Sequence, residues 1–184
     1  MSKDVVDLIM NDHRELEKLF DTLLNEPEKR AALVPVMTTL LTAHSRAEES
    51  EVYPAAREAG GADDVEHSQK EHLEADQLAL ALSETDPSSP DFEAALQELV
   101  DAVSHHVEEE EQPVLPGMRE RLDEARRAEL GEAFLAAREE HLGEQPGDIT
   151  RAELDQQAAN AGVSGTSSMS KDELKETLEA EAES

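Results

Sequence analysis

Apolar residues recur every three to four positions along almost the whole chain, the mark of helices that bury one face. Val5, Ile9, Leu16 and Phe20 define a first helix that Ser2 can cap. A break at Pro27 leads into a second helix, which runs to about Val52 and stops at Pro54. Pro35 lies within that stretch and predicts a kink, or a helix that starts nearer Pro35. Gly60-Gly61-Ala62-Asp63 reads as a turn and cap before a third helix over 64–82. Asp86-Pro87-Ser88-Ser89-Pro90 reads as a loop, with Pro90 in the first turn of a fourth helix that reaches Gln112 before Pro113 and Pro116. A fifth amphipathic segment covers 122–141, with Leu130, Phe134 and Leu135 on its apolar side. No strand-like alternation of useful length interrupts this pattern. The expected fold is all-α: an up-down-up-down four-helix bundle, a trailing fifth helix and a small C-terminal helix-loop-helix.

The composition shifts at Gly143-Glu144-Gln145-Pro146-Gly147, so residues 1–142 read as the bundle and 143–149 as a linker. Residues 150–184 then carry two capping boxes, Thr150-Arg151-Ala152-Glu153 and Ser170-Lys171-Asp172-Glu173, either side of Ala161-Gly162-Val163-Ser164-Gly165. A helical pair of that size cannot bury a large core of its own.

Charge narrows the function classes. The 184 residues hold 16 Lys and Arg against 45 Asp and Glu, a formal net charge of −29. Such a field repels nucleic acid and anionic lipid. Cysteine is absent, which excludes disulfides, thiolate zinc sites and cysteine-held iron–sulfur clusters. Histidine and carboxylate remain as metal ligands, a set suited to iron, manganese or zinc. The N-terminal segment has no apolar signal-type stretch, and no run approaches about 18 apolar residues. The expectation is a soluble cytoplasmic protein with no membrane contact.

The chemistry sits in an internal repeat. His44-Ser-Arg-Ala-Glu48-Glu49 through Pro54 aligns with His106-Val-Glu-Glu-Glu110-Glu111 through Pro116, offset by 62 positions. Upstream, Asp12-His13 aligns with Glu71-His72 at an offset of 59. Each helical hairpin therefore supplies one His from its first helix and a His-x-x-x-Glu from its second. Residues four apart on a helix share a face, so His44 can address the same point as Glu48, and His106 the same point as Glu110. The apolar phase turns that face inward. His13 follows Val6 and Ile9, His44 follows Met37, Leu40 and Leu41, and His106 follows Leu99, Ala102 and Val103. His72 shares a stripe with Ala75, Ala79 and Leu82, although Asp76 falls on it too.

Four imidazoles and two carboxylates thus converge between apolar layers, and metal coordination is an economical way to keep buried carboxylates ionised. Four nitrogens, with two oxygens from each Glu if both bridge, supply eight donors, or four for each of two metals. A shared oxo or hydroxo group adds a fifth and leaves an open or water-filled position on each. That is the count of a centre that takes a small exogenous ligand. The remaining histidines fall elsewhere. His67 shares its stripe with Lys70, Glu71 and Glu74, a solvated face; His105 shares one with Glu98 and Asp101; His141 has no evident partner. Tyr53, the single tyrosine, is expected to pack against the loop that follows it, with a redox-active place near the site as the alternative.

The pattern of His, His-x-x-x-Glu, His, His-x-x-x-Glu, with "EExxxYP" and "EExxxLP" after the second helix of each pair, resembles the hemerythrin-like, cation-binding HHE domain over about residues 1–120. The resemblance implies a four-helix bundle with a non-haem di-iron centre of two Fe2+/Fe3+ ions that meets O2, H2O2 or NO. It implies His13, His44, Glu48, His72, His106 and Glu110 as ligands, with Glu48 and Glu110 as bridges and an oxo or hydroxo group between the metals. No separate catalytic or organic-cofactor residues stand out. Oxygen-carrying hemerythrins place two His one turn apart on the third helix, whereas the positions four from His72 here are Ser68 and Asp76. They also end in His-x-x-x-x-Asp, where this chain has Glu110 and Glu111. With one nitrogen ligand fewer, sensing or scavenging is favoured over reversible oxygen carriage.

Residues 150–181 resemble the small Rho N-terminal/SAP-like helical module, and that resemblance implies nucleic-acid binding. Three basic residues against nine acidic over 148–184, a net of −6, disfavour it. Two other function classes stand beside the di-iron binding protein. One is a di-iron enzyme that decomposes peroxide or acts as an oxidase; the other is an acidic interaction module with a structural metal.

Overall fold

The computed structural model describes residues 4–183. Its helices are α1 (Val5–Asn25), α2 (Arg30–Ala47), α3 (Tyr53–Glu58), α4 (Ala62–Glu84), α5 (Phe92–Glu109), α6 (Leu115–Arg121), α7 (Glu124–His141), α8 (Arg151–Asn160) and α9 (Lys171–Ala182). No strand occurs among the described residues. Helices α1, α2, α4 and α5 form the expected bundle, and α7 trails back across α1 and α2. No helix of the described residues is long and apolar enough to cross a membrane.

The cap expected at Ser2 lies outside the described residues; the Asp4 side chain caps α1 by accepting the Val6 N–H at 3.0 Å. Pro35 stays inside α2 without ending it. Helix α5 begins at Phe92, two residues beyond Pro90.

The second and fourth helices do not stop where the prolines predict. Each passes through a π-helical turn, Glu48–Val52 and Glu110–Val114, and continues as α3 or α6 past Pro54 and Pro116. The Tyr53 N–H reaches back to the Glu48 carbonyl and the Leu115 N–H to that of Glu110, one residue further than in an α-helix. The wider turn moves carbonyls clear of the proline ring that would otherwise clash with them. Each π turn begins at a repeat glutamate, so the distortion coincides with the site.

Two apolar slabs sandwich that site. Ile9, Val52, Tyr53, Val65, Leu115, Met118 and Phe134 pack on one side. Leu16, Phe20, Met37, Leu41, Leu82, Leu96 and Leu99 pack on the other. A third, smaller cluster joins Leu73 of α4 to Ile149, Leu154, Ala158, Leu174 and Leu178. It seats α8 and α9, each opened by its capping box, against the bundle.

Candidate metal centre

All six residues of the repeat pattern meet between the slabs, each buried. His44 Nε2 lies 3.2 Å from Glu48 Oε2, and His72 Nε2 lies 3.3 Å from the same oxygen. Across the pseudo-twofold, His13 Nε2 lies 3.3 Å and His106 Nε2 3.9 Å from Glu110 Oε2. The imidazoles pair as well: the ring centroids of His13 and His44 are 5.1 Å apart, and those of His72 and His106 are 4.6 Å apart. The ligand atoms of His13, His44 and Glu48 fall within one coordination-sized cluster, as do those of Glu48, His72 and His106, so Glu48 belongs to both.

Both oxygens of Glu48, both of Glu110, and the Nε2 atoms of His13 and His44 are buried without a hydrogen-bond partner. Buried polar atoms are ordinarily paired, because an unpaired one forfeits its hydration with nothing in return. Six such atoms aimed at one volume are the donor set of a cation. The residues present fit imidazole- and carboxylate-bound metal.

A second layer of carboxylates fixes the rings. His13 Nδ1 meets Glu111 at 2.9 Å and His106 Nδ1 meets Glu71 at 2.8 Å. Asp12 faces His44 Nδ1 and Glu49 faces His72 Nδ1, both at 3.3 Å. An ionised carboxylate only accepts, so each Nδ1 carries a proton and each Nε2 is turned toward the centre. The pairing follows the repeat. Asp12 and Glu71 orient the second-helix His of their own hairpin; Glu49 and Glu111 orient the first-helix His of the other.

Glu49 is a hub. Beyond His72 it accepts from Arg46 at 2.9 Å, from Gln69 at 2.8 Å and from Gln157 of α8 at 3.1 Å. Arg46 also pairs with Asp76 at 2.8 Å, which neutralises the one acid on the His72 stripe. Asn160 donates to the Glu49 carbonyl at 3.0 Å and to Gln69 at 2.9 Å. The C-terminal pair therefore touches the support of a site residue directly.

Three sequence expectations need correction. Glu71 is not on a solvated face: most of its carboxylate is covered and bonded to His106. Tyr53 does not pack outward onto a loop; it is buried, with its hydroxyl 3.0 Å from His72 Nε2. His141 has partners in Glu144 at 2.8 Å and Glu153 at 3.6 Å. The supporting acids, Asp12, Glu49, Glu71 and Glu111, are not among the expected ligands, although all four lie within the repeated segments, which is the available signal. Gln157 and Asn160 carried no such signal.

The field of these acids governs protonation. Burial alone pushes the His44 imidazole down, but Glu48 and Asp12 together outweigh it and hold the pKa up at about 10. His72 is likewise pushed down by burial and held up at about 10 by Glu48 and Glu49. Metal binding needs a neutral Nε2, so uptake expels these protons. For metal-free protein the sign is fixed: a raised folded-state pKa stabilises fully below the unfolded value of 6.5 and the gain is lost as pH rises toward 10. Thermal unfolding of the chelator-treated protein should show the midpoint falling across that window, and the metal-loaded protein should show a flatter profile.

An all-helical bundle around a buried imidazole–carboxylate cluster defines a cation-binding helical protein. Residues 4–117 match the hemerythrin HHE cation-binding domain, and the chain belongs to that family. It is also 30% identical over 147 residues to a DNA nickase of Nostoc sp. (strain PCC 7120), an overlap of 77% of this chain and 42% of the nickase. The chain thus spans about two fifths of the length of that relative. No solved structure matches it.

Proposed function

We propose that His13, His44, Glu48, His72, His106 and Glu110 hold two iron ions, with Glu48 and Glu110 as bridges and an oxo or hydroxo group between the metals. We assign the centre to binding, sensing or scavenging O2, H2O2 or NO. The carrying observation is the set of buried, unpartnered donor atoms beside a very small cavity. That cavity is about 10 Å³, lined by the four imidazoles with Leu16, Leu41, Ala75 and Val103 among its apolar walls. It has room for about one water-sized molecule. Such a volume favours the smallest ligands, a diatomic gas or a peroxide, over an organic substrate, which reaches the ring nitrogens only if the bundle opens.

Iron, when bound, supplies the redox chemistry. The protein's own part is to orient four rings through their Nδ1 carboxylates, to exclude bulk water with two apolar slabs, and to set the Tyr53 hydroxyl beside His72. Peroxide decomposition is the second reading, favoured by this hydroxyl within hydrogen-bond reach of a site nitrogen. The strand cleavage named for the Nostoc relative is not carried over, because a very small cavity and a net charge of −29 both oppose a polynucleotide at this centre. The arrangement of α8, loop and α9 supports the Rho N-terminal/SAP likeness for residues 150–184. Its acidity favours contact with protein over nucleic acid.

Elemental analysis of purified protein should give about two irons per chain, the number its donor count supports. The optical spectrum should carry an oxo-bridge charge-transfer band in the near-ultraviolet that changes with NO or peroxide. Protein with no tightly held metal, or a spectrum blind to all three small ligands, overturns the assignment.

A further inference from the structure

Outside the buried centre, His67 and Glu71 lie one turn apart on α4, and His105 and Glu109 one turn apart on the adjoining α5. Each helix presents a His-x-x-x-Glu pair to the other. His67 Nε2 is 2.6 Å from Glu109 Oε2 and 3.6 Å from Glu71 Oε1. His105 Nε2 is 3.3 Å from Glu109 Oε1 and 3.7 Å from Glu71 Oε1. The two imidazoles are 59% and 63% exposed, so the cluster opens to solvent. Its floor is Glu71, whose side chain is only 10% exposed. Glu71 Oε2 is taken by His106 Nδ1, while Oε1 is buried, faces the cluster and has no hydrogen-bond partner.

The internal repeat shows what this place looks like when it is filled. By the offsets of 59 and 62, Glu71 corresponds to Asp12, His67 to Leu8, His105 to Ala43 and Glu109 to Ala47. In the first half, Leu8 packs half-buried against the core, and Ala43 and Ala47 are buried on the helix that α7 covers. There α7 supplies a cation: Arg138 donates to Asp12 at 2.6 Å while the same carboxylate faces His44. In the second half the corresponding carboxylate keeps its imidazole but has an orphaned oxygen. The apolar Leu, Ala and Ala are replaced by His, His and Glu. A bound cation there would supply the positive charge that Arg138 supplies in the other half, on the oxygen the imidazole leaves free rather than on the one it shares.

We propose that His67, Glu71, His105 and Glu109 form a second, surface site for a divalent transition-metal ion of borderline softness, such as zinc, ferrous iron or cobalt. Two imidazole nitrogens with carboxylate oxygens are the donor set such ions take. The site shares Glu71 with the support of His106, so an ion bound outside polarises a carboxylate that orients a ring of the buried centre. The assignment rests on its own geometry and does not depend on what the buried centre holds.

The test is a Co2+ titration of the full-length protein as isolated, after its tightly held metals have been counted. One further Co2+ per chain is expected, with visible ligand-field absorption and paramagnetic broadening of the His67 and His105 imidazole signals. His67→Ala and His105→Ala should each weaken that Co2+ about tenfold or more. The count of tightly held metals should stay as it was. No further Co2+, or a further Co2+ indifferent to both substitutions, overturns the proposal. Because neither residue belongs to the buried set, a chain without tight metal but with a His67- and His105-dependent Co2+ upholds the surface site while failing the buried one.

Discussion

Glu48→Gln is expected to remove the gain in thermal stability that metal gives the protein, and to cut tightly held metal to at most one ion per chain. Glu48 is the one residue common to both coordination-sized clusters. An amide offers a single, neutral oxygen where a bridge needs two anionic ones. Ligand binding stabilises the folded state by RT ln(1 + [L]/Kd), so abolishing a bound state abolishes its increment. The metal-free fold should survive the change. Glutamine has nearly the shape of glutamate, and the slabs above and below the site are untouched. Without the anion that now holds His44 and His72 protonated, both rings titrate lower, so the metal-free variant should also lose part of the pH dependence between 6.5 and 10. Calorimetry with and without iron, on both proteins, reads both effects. A variant that still gains the parent's full metal increment overturns the bridging role.

Much of this centre was legible in the sequence because its logic is local. The i,i+4 spacing and the apolar phase lie within single helices, and duplication at offsets of 59 and 62 separates signal from the scattered histidines of an acidic chain. Six residues could be picked from seven histidines and 45 acids on those grounds alone. What stayed hidden is what depends on helices meeting. Glu49 finds His72 on the other hairpin, and Glu111 finds His13 ninety-eight positions away. The doublets Glu48-Glu49 and Glu110-Glu111 advertised a second acid without saying which ring it serves. The π turns were hidden for a different reason: Pro54, Pro113 and Pro116 read as stops, and a one-residue register shift lets the helix absorb them. The seating of α8 and α9 was invisible as well. Their few apolar residues complete a face on Leu73 that the α4 pattern alone does not announce.

Glu49→Ala should produce the largest combined effect on stability and metal affinity of any change outside the six proposed ligands. Burial raises the Glu49 carboxyl, but Arg46 and then His72 outweigh it and hold the pKa down at about 2. That contribution is present above the usual carboxylate range near 4.5 and is lost as pH falls toward 2. Truncation to alanine leaves the buried Arg46 guanidinium with Asp76 as its remaining close partner, and strips acceptors from His72, Gln69 and Gln157. Breaking a buried pair from one side costs about 3–5 kcal/mol, and the surviving Asp76 contact places this case near the lower end. Loss of a carboxylate behind a metal-bound histidine lowers metal affinity about 10- to 100-fold. Glu49→Gln separates the two components. Its amide oxygen can still accept from His72 Nδ1, so metal affinity should fall less than in the alanine variant, while the lost charge still costs stability through Arg46. Gln157→Ala, which removes only the α8 contact, should weaken metal binding least. Chemical denaturation of the metal-free proteins gives the first quantity and competition against a chelator the second. Equal metal affinity in Glu49→Ala and the parent would show that His72 is oriented without its carboxylate, and that the Gln157 contact to that carboxylate has no hold on the centre.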